Sequence, residues 1–133
     1  MTEFFKEIDH KFLREQQEFS FRCGSTCIVV LIVGDRIICA NIGDSRALLS
    51  RAGKCFELSI DMKPNREDEK IRIEAAGGEV ELDRLMGKLA VSRAFGDFQF
   101  KQISQSHLIQ KANKMEGCSY GDLVSNIPEI RTI

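Results

Sequence analysis

Nine consecutive residues, Ser25–Val33, read STCIVVLIV. Apolar and β-branched side chains occupy both alternating faces of this run, so as a strand it requires cover on two sides. Gly34-Asp35 and then RIICANI (Arg36–Ile42) follow it. A two-residue Gly-Asp link between apolar runs predicts a hairpin. Gly43-Asp44-Ser45 predicts the next turn, Arg46–Arg51 a third strand, Ala52-Gly53-Lys54 another turn and Cys55–Leu58 a fourth strand. Together they predict an antiparallel meander of four short strands.

Helical signals flank this block. Over residues 2–18, Phe5, Ile8 and Phe12 recur at helical spacing behind Thr2 as N-cap, with charges on the remaining face. Phe19-Ser-Phe-Arg alternates as extended chain does. A second helix is predicted after Pro64, with Asn65 as N-cap, Glu67, Asp68 and Glu69 in its first turn and Gly77-Gly78 as its stop. Beyond it the pattern predicts a hairpin of Glu79–Asp83 with Lys88–Ser92 and a polar segment over 102–122. Leu123–Ile133, which contains Pro128, reads as an edge strand or extended tail. The fold class expected is α+β, with antiparallel sheets flanked by helices.

Charge narrows the function classes. Nineteen basic and twenty acidic residues leave a net charge of -1, which gives no electrostatic footprint for nucleic acid or an anionic membrane. No apolar run approaches the length of a membrane span, and MTEFFKEIDHKF lacks the apolar core of a signal peptide. The expectation is a soluble intracellular protein, cytoplasmic by default, with the nucleus open. Five cysteines (Cys23, Cys27, Cys39, Cys55, Cys118) form an odd set read as buried free thiols. Cys23 and Cys27 have no second Cys/His pair at ligand spacing, and His10 and His107 stand alone, which disfavours zinc.

Four acids sit where chemistry would need them, at strand ends and turns: Asp35, Asp44, Asp61 and Asp97. Position alone reads Asp35 as a hairpin residue, Asp44 as a carboxylate bonding its own turn or pairing with Arg46, and Asp97 as a turn residue after Gly96. Asp61 lies between a strand end and a Pro-containing loop, beside Lys63, and reads as solvated or loop-capping.

The order of GSTC (Gly24–Cys27), ANIGDSRALL (Ala40–Leu49), SIDMKPNREDEKIRIEAAGG (Ser59–Gly78) and GKLAVSRAFGDFQFK (Gly87–Lys101) resembles the central part of the metal-dependent protein serine/threonine phosphatases of type 2C, the PPM-type family. VSNIPEI (Val124–Ile130) resembles a later strand of that family. The resemblance implies a PPM-type β-sandwich, incomplete at both ends, with 1–133 as a single partial domain. Its parts are a helix over 1–18, core motifs over 24–101, a flap-like segment over 102–122 and a terminal strand over 123–133. It also implies hydrolysis of phosphoserine and phosphothreonine in proteins by water activated on Mg²⁺ or Mn²⁺. Asp61 matches the family's Asp-His-Lys-Pro aspartate, associated with an auxiliary metal, whereas Met62 replaces the usual His. Asn41, Asp44, Ser45 and Arg46 look like organisers of the strand–turn–strand. Glu69, Arg72, Ile73, Ala76, Gly77 and Gly78 match the helix-to-glycine pattern.

The family's binuclear metal ligands lie in segments that have no match here: Asp-Gly-His-Gly-Gly, Asp-Gly-x-Trp-Asp and a late Asp-Asn. The expectation is a phosphatase region inactive as this isolated chain, with a phosphoprotein as substrate if active. The alternatives are a non-catalytic interaction module or a truncated gene product. An incomplete sandwich would leave an unpaired edge, so self-association or a protein partner is expected.

Overall fold

A computed structural model describes residues 1–16, 22–101 and 122–133. The expected flap-like segment, apart from Asp122, lies outside the described residues, as do Cys118, His107 and the end of the first predicted helix. The elements are α1 (Thr2–Glu15), β1 (Gly24–Ser25), β2 (Cys27–Val33), β3 (Arg36–Ile42), β4 (Leu48–Arg51), β5 (Lys54–Glu57), α2 (Glu67–Ala75), β6 (Val80–Glu81), β7 (Arg84–Leu85), β8 (Phe95–Gly96) and β9 (Glu129–Thr132).

Among the described residues the paired strands run antiparallel, with an isolated parallel bridge at Arg93↔Ser125, and the architecture is α+β as expected. The predicted four-stranded meander is corrected. β2 and β3 form a hairpin in register from Cys27↔Ile42 to Val33↔Arg36, and β9, not β4, adds to the other side of β3. β4 and β5 make a separate hairpin. The break lies at Gly43, which has φ +90°, and where a Cβ would collide with the Thr26 side chain. Thr26 and Ser45 join their hydroxyls at 2.8 Å, so the chain turns away from the sheet before β4 begins.

Other boundaries shift for local reasons. The N-cap of α1 is Met1 rather than Thr2, and that of α2 is Arg66 rather than Asn65; neither makes a side-chain cap bond. The 79–92 hairpin is tighter than predicted, pairing Val80–Glu81 with Arg84–Leu85 through Leu82 and Asp83, both at positive φ. Of the edge strand or extended tail read for Leu123–Ile133, Glu129–Thr132 forms a strand that lies at the sheet edge among the described residues, starting directly after Pro128. The thiols of Cys23, Cys27, Cys39 and Cys55 are free, as expected, but only Cys39 is fully buried. No helix among the described residues is long and apolar enough to cross a membrane.

Two apolar clusters hold the described chain together. In one, Phe5, Ala40 and Ile42 pack with Cys27, Val29 and Phe95, and the Phe5 and Phe95 rings lie 5.4 Å apart. The other gathers Ile73, Ala76, Leu85, Ala94, Phe100, Leu123 and Val124. The two-sided cover that STCIVVLIV requires is incomplete: Val30, Leu31, Ile32 and Val33 are exposed, Ile32 at 75%.

Candidate functional site

Three backbone segments meet around Asp61. The Met62 N–H donates to the Gly43 carbonyl at 3.0 Å, and the Ser92 N–H donates to the Met62 carbonyl at 3.1 Å. This ties the Gly43 turn, the Asp61 loop and the strand-like 92–94 segment into one rung. Asn41, buried at the end of β3, donates from Nδ2 to the Gly43 carbonyl at 3.1 Å and to the Ile60 carbonyl at 3.4 Å. Below the turn, Leu58 donates to the Ala47 carbonyl and Ala47 donates to Ser59 Oγ. Met62, which the resemblance sets in place of a His, is fully buried, so its side chain serves the core and offers no polar support.

On this frame Asp61 and Arg46 face each other. Arg46 donates from Nε to Oδ1 at 3.0 Å and from a terminal nitrogen to Oδ2 at 2.9 Å, a two-bond fork. The Arg46 bonds hold the Asp61 carboxyl below the ordinary carboxylate range against the opposing effect of burial, and Lys63 adds to the lowering. Of the two roles read for Asp44, bonding its own turn or pairing with Arg46, the second is corrected: Arg46 goes to Asp61 and Asp44 stands 3.8 Å from Lys63. Sequence position places Asp44 two residues from Arg46, but the folded-back loop brings Asp61 to the guanidinium.

The remaining candidates lie elsewhere. Asp35 occupies the exposed β2–β3 turn, as read from sequence. Asp97 is buried at φ +48°, and its N–H donates to the Cys23 carbonyl at 2.8 Å. Burial pushes its carboxyl up, Lys101 opposing. It belongs to a polar cluster on α1 that sequence reasoning missed, in which Asp9 accepts from Lys101 Nζ at 2.7 Å, Asn126 Nδ2 at 2.8 Å and the Gly96 N–H at 2.8 Å. The signal was available: Asp9 stands four residues after Phe5 and three before Phe12, on the apolar face. A second missed network surrounds buried Glu69, which takes bonds from Arg93 at 2.6 Å and Arg72 at 3.1 Å.

Asp61 is an ionised, partly exposed hard oxygen donor and suits a single divalent ion completed by water. No group of three or more His, Cys, Asp or Glu side chains among the described residues could hold a metal ion together.

The family model described as Protein phosphatase 2C matches residues 1–133. The chain belongs to the protein phosphatase 2C family. It is 48% identical over 97 residues to Protein phosphatase 2C homolog 3 of Schizosaccharomyces pombe, covering 73% of this chain and 23% of that protein. It is 54% identical over 79 residues to the Oryza sativa subsp. japonica protein named "Probable protein phosphatase 2C 21", covering 59% and 23%. Among solved structures, a phosphatase from a pathogenic strain of Toxoplasma gondii superposes with a TM-score of 0.69 at 25% identity over 99% of this chain and 53% of that one. A C. elegans sex determining protein shares the fold, with a TM-score of 0.72 at 22% identity over 97% and 28%. This protein phosphatase 2C chain spans 23% to 30% of the length of the first curated relatives it matches.

Proposed function

We propose that this chain contributes the central part of a metal-dependent protein serine/threonine phosphatase and is inactive in isolation. The observation that carries the reading is the family match over the whole chain, together with the single carboxylate, Asp61, in the family's Asp-His-Lys-Pro position. Mg²⁺ or Mn²⁺, when bound, supplies the Lewis acidity that turns water into a nucleophile and offsets charge on a phosphoryl group. What this chain's residues contribute is narrower. Asp61 offers an ionised carboxylate for an auxiliary ion, Arg46 orients that carboxylate, and the Gly43–Met62–Ser92 rung fixes the loop beneath it. The substrate expected is a phosphoserine or phosphothreonine in a protein.

Two assays test the reading. The 133-residue chain alone should not hydrolyse a chromogenic phosphate ester with added Mn²⁺. Turnover that Asp61→Ala abolishes would overturn the claim that it is inactive in isolation. In a chimera, this chain would replace the matching region of the S. pombe relative, and the folded product should retain Mn²⁺-dependent hydrolysis of a phosphothreonine peptide. A folded but inert chimera would overturn the phosphatase reading.

The exposed apolar stretch of β2 favours a second reading, a non-catalytic module that pairs with another protein chain. The inert chimera is the outcome that this reading predicts.

A further inference from the structure

We propose that the Arg46 guanidinium is a built-in competitor for a divalent cation at Asp61, which the ion must displace in order to bind. The inference rests on the reading of Asp61 as a carboxylate that meets a metal. Both carboxylate oxygens are taken by the Arg46 fork, at 3.0 and 2.9 Å. A hard ion would need those same oxygens. It would also sit within a few ångströms of the guanidinium, where like charges repel. Guanidinium and ion are therefore alternatives at one carboxylate.

The structure also indicates which partner moves. Asp61 is 20% exposed, and the buried Met62 beside it is pinned through both its N–H and its carbonyl. Arg46 is 53% exposed and reaches Asp61 from the turn ahead of β4, so its side chain leaves with little loss of packing. Glu57 already acts on Arg46 electrostatically and gives the released guanidinium another acid to face. Lys63 lies 3.8 Å from Asp44 and also acts on Asp61, a background charge common to the wild type and every Arg46 variant. The exchange is thus a rotation of one surface side chain, with no rearrangement of backbone.

The test uses the isotopically labelled 133-residue chain and Mn²⁺, whose paramagnetism broadens amide signals even when binding is weak. Broadening of the Asp61, Met62 and Lys63 amides is titrated in the wild type, Arg46→Met, Arg46→Lys and Asp61→Asn. The expected result is about five- to tenfold tighter Mn²⁺ binding in Arg46→Met. Arg46→Lys, which keeps the charge but loses the fork, should lie between, and Asp61→Asn should lose the effect. In the wild type, Mg²⁺ should also weaken the protection of the Arg46 Nε–H from exchange. Equal affinities in the wild type and both Arg46 variants, still abolished by Asp61→Asn, overturn the competition and leave the reading of Asp61 standing. Absence of any Asp61-dependent broadening overturns both. Arg46→Lys keeps the outcome decisive if Arg46→Met does not fold.

Discussion

Asp9 and Lys101, 92 positions apart in the chain, meet in a 2.7 Å ion pair with side chains only 1% and 5% exposed. The pair is satisfied rather than bare: Asp9 also takes bonds from Gly96 and Asn126, and Lys101 donates to the Ala94 carbonyl at 3.0 Å. Its effect is to fasten α1 to the residues on both sides of the 102–121 segment.

Breaking that junction should be costly. Asp9→Ala removes the acceptor for two buried donors, the Gly96 N–H and Lys101 Nζ, and for the half-buried Asn126 amide, and such a loss costs about 3–5 kcal/mol. Asp9→Asn keeps an oxygen for Gly96 and should cost less. Urea denaturation followed by circular dichroism checks the order, and a variant Asp9→Ala with an unchanged midpoint would contradict it.

Acid should act through Glu69. Burial opposes its ionisation, but the bonds from Arg93 and Arg72 prevail and hold its pKa at about 2, against an ordinary value of 4.5. A depressed carboxylate stabilises the fold above its unfolded pKa, and that contribution is lost as pH falls from about 4.5 towards 2. The shift amounts to roughly 3 kcal/mol. Glu69→Gln should therefore lower stability at pH 7 and flatten the slope of stability against pH in that window, measured by denaturant titrations across it.

The tip of the β6–β7 hairpin can be improved. Leu82 and Asp83 have φ of +50° and +61°, and Leu82 is 93% exposed. Asn-Gly is the pair that this geometry favours. Replacing both, Leu82→Asn with Asp83→Gly, should raise stability by about 1 kcal/mol, visible as a higher melting temperature.

The β2 edge should govern self-association. Among the described residues β2 pairs with β3 alone, and Cys27–Val33 has no charged side chain to discourage a further strand. The chain should form dimers or larger species at micromolar concentration. Ile32→Lys should restore a monomer without lowering the melting temperature, as read by light scattering after size exclusion. A monomeric wild type would count against this.

The two hairpins were legible because their signals are local. Gly34-Asp35 and Ala52-Gly53 separate apolar runs, and Ala52 and Gly53 both adopt positive φ, as a tight reverse turn needs. Position alone read Asp61 as solvated or loop-capping, and only the motif around it singled it out as a candidate. What sequence could not supply were relations between distant residues. The meander broke because Thr26 meets Ser45. Arg46 found Asp61 rather than Asp44 because the 58–62 loop folds back on the Gly43 turn. The helix caps differ from the residues read as caps, and neither Met1 nor Arg66 makes a side-chain cap bond.

The docking of β9 on β3 bears on how this polypeptide emerges during synthesis. Ile37 and Ile133 exchange both backbone bonds, at 2.8 and 2.9 Å, and Cys39 lies opposite Arg131. The third strand of the sheet thus begins at Glu129, long after the strand it joins has ended at Ile42. Until then the nascent hairpin has a raw margin on each side, and this interval is when a chaperone would be needed most.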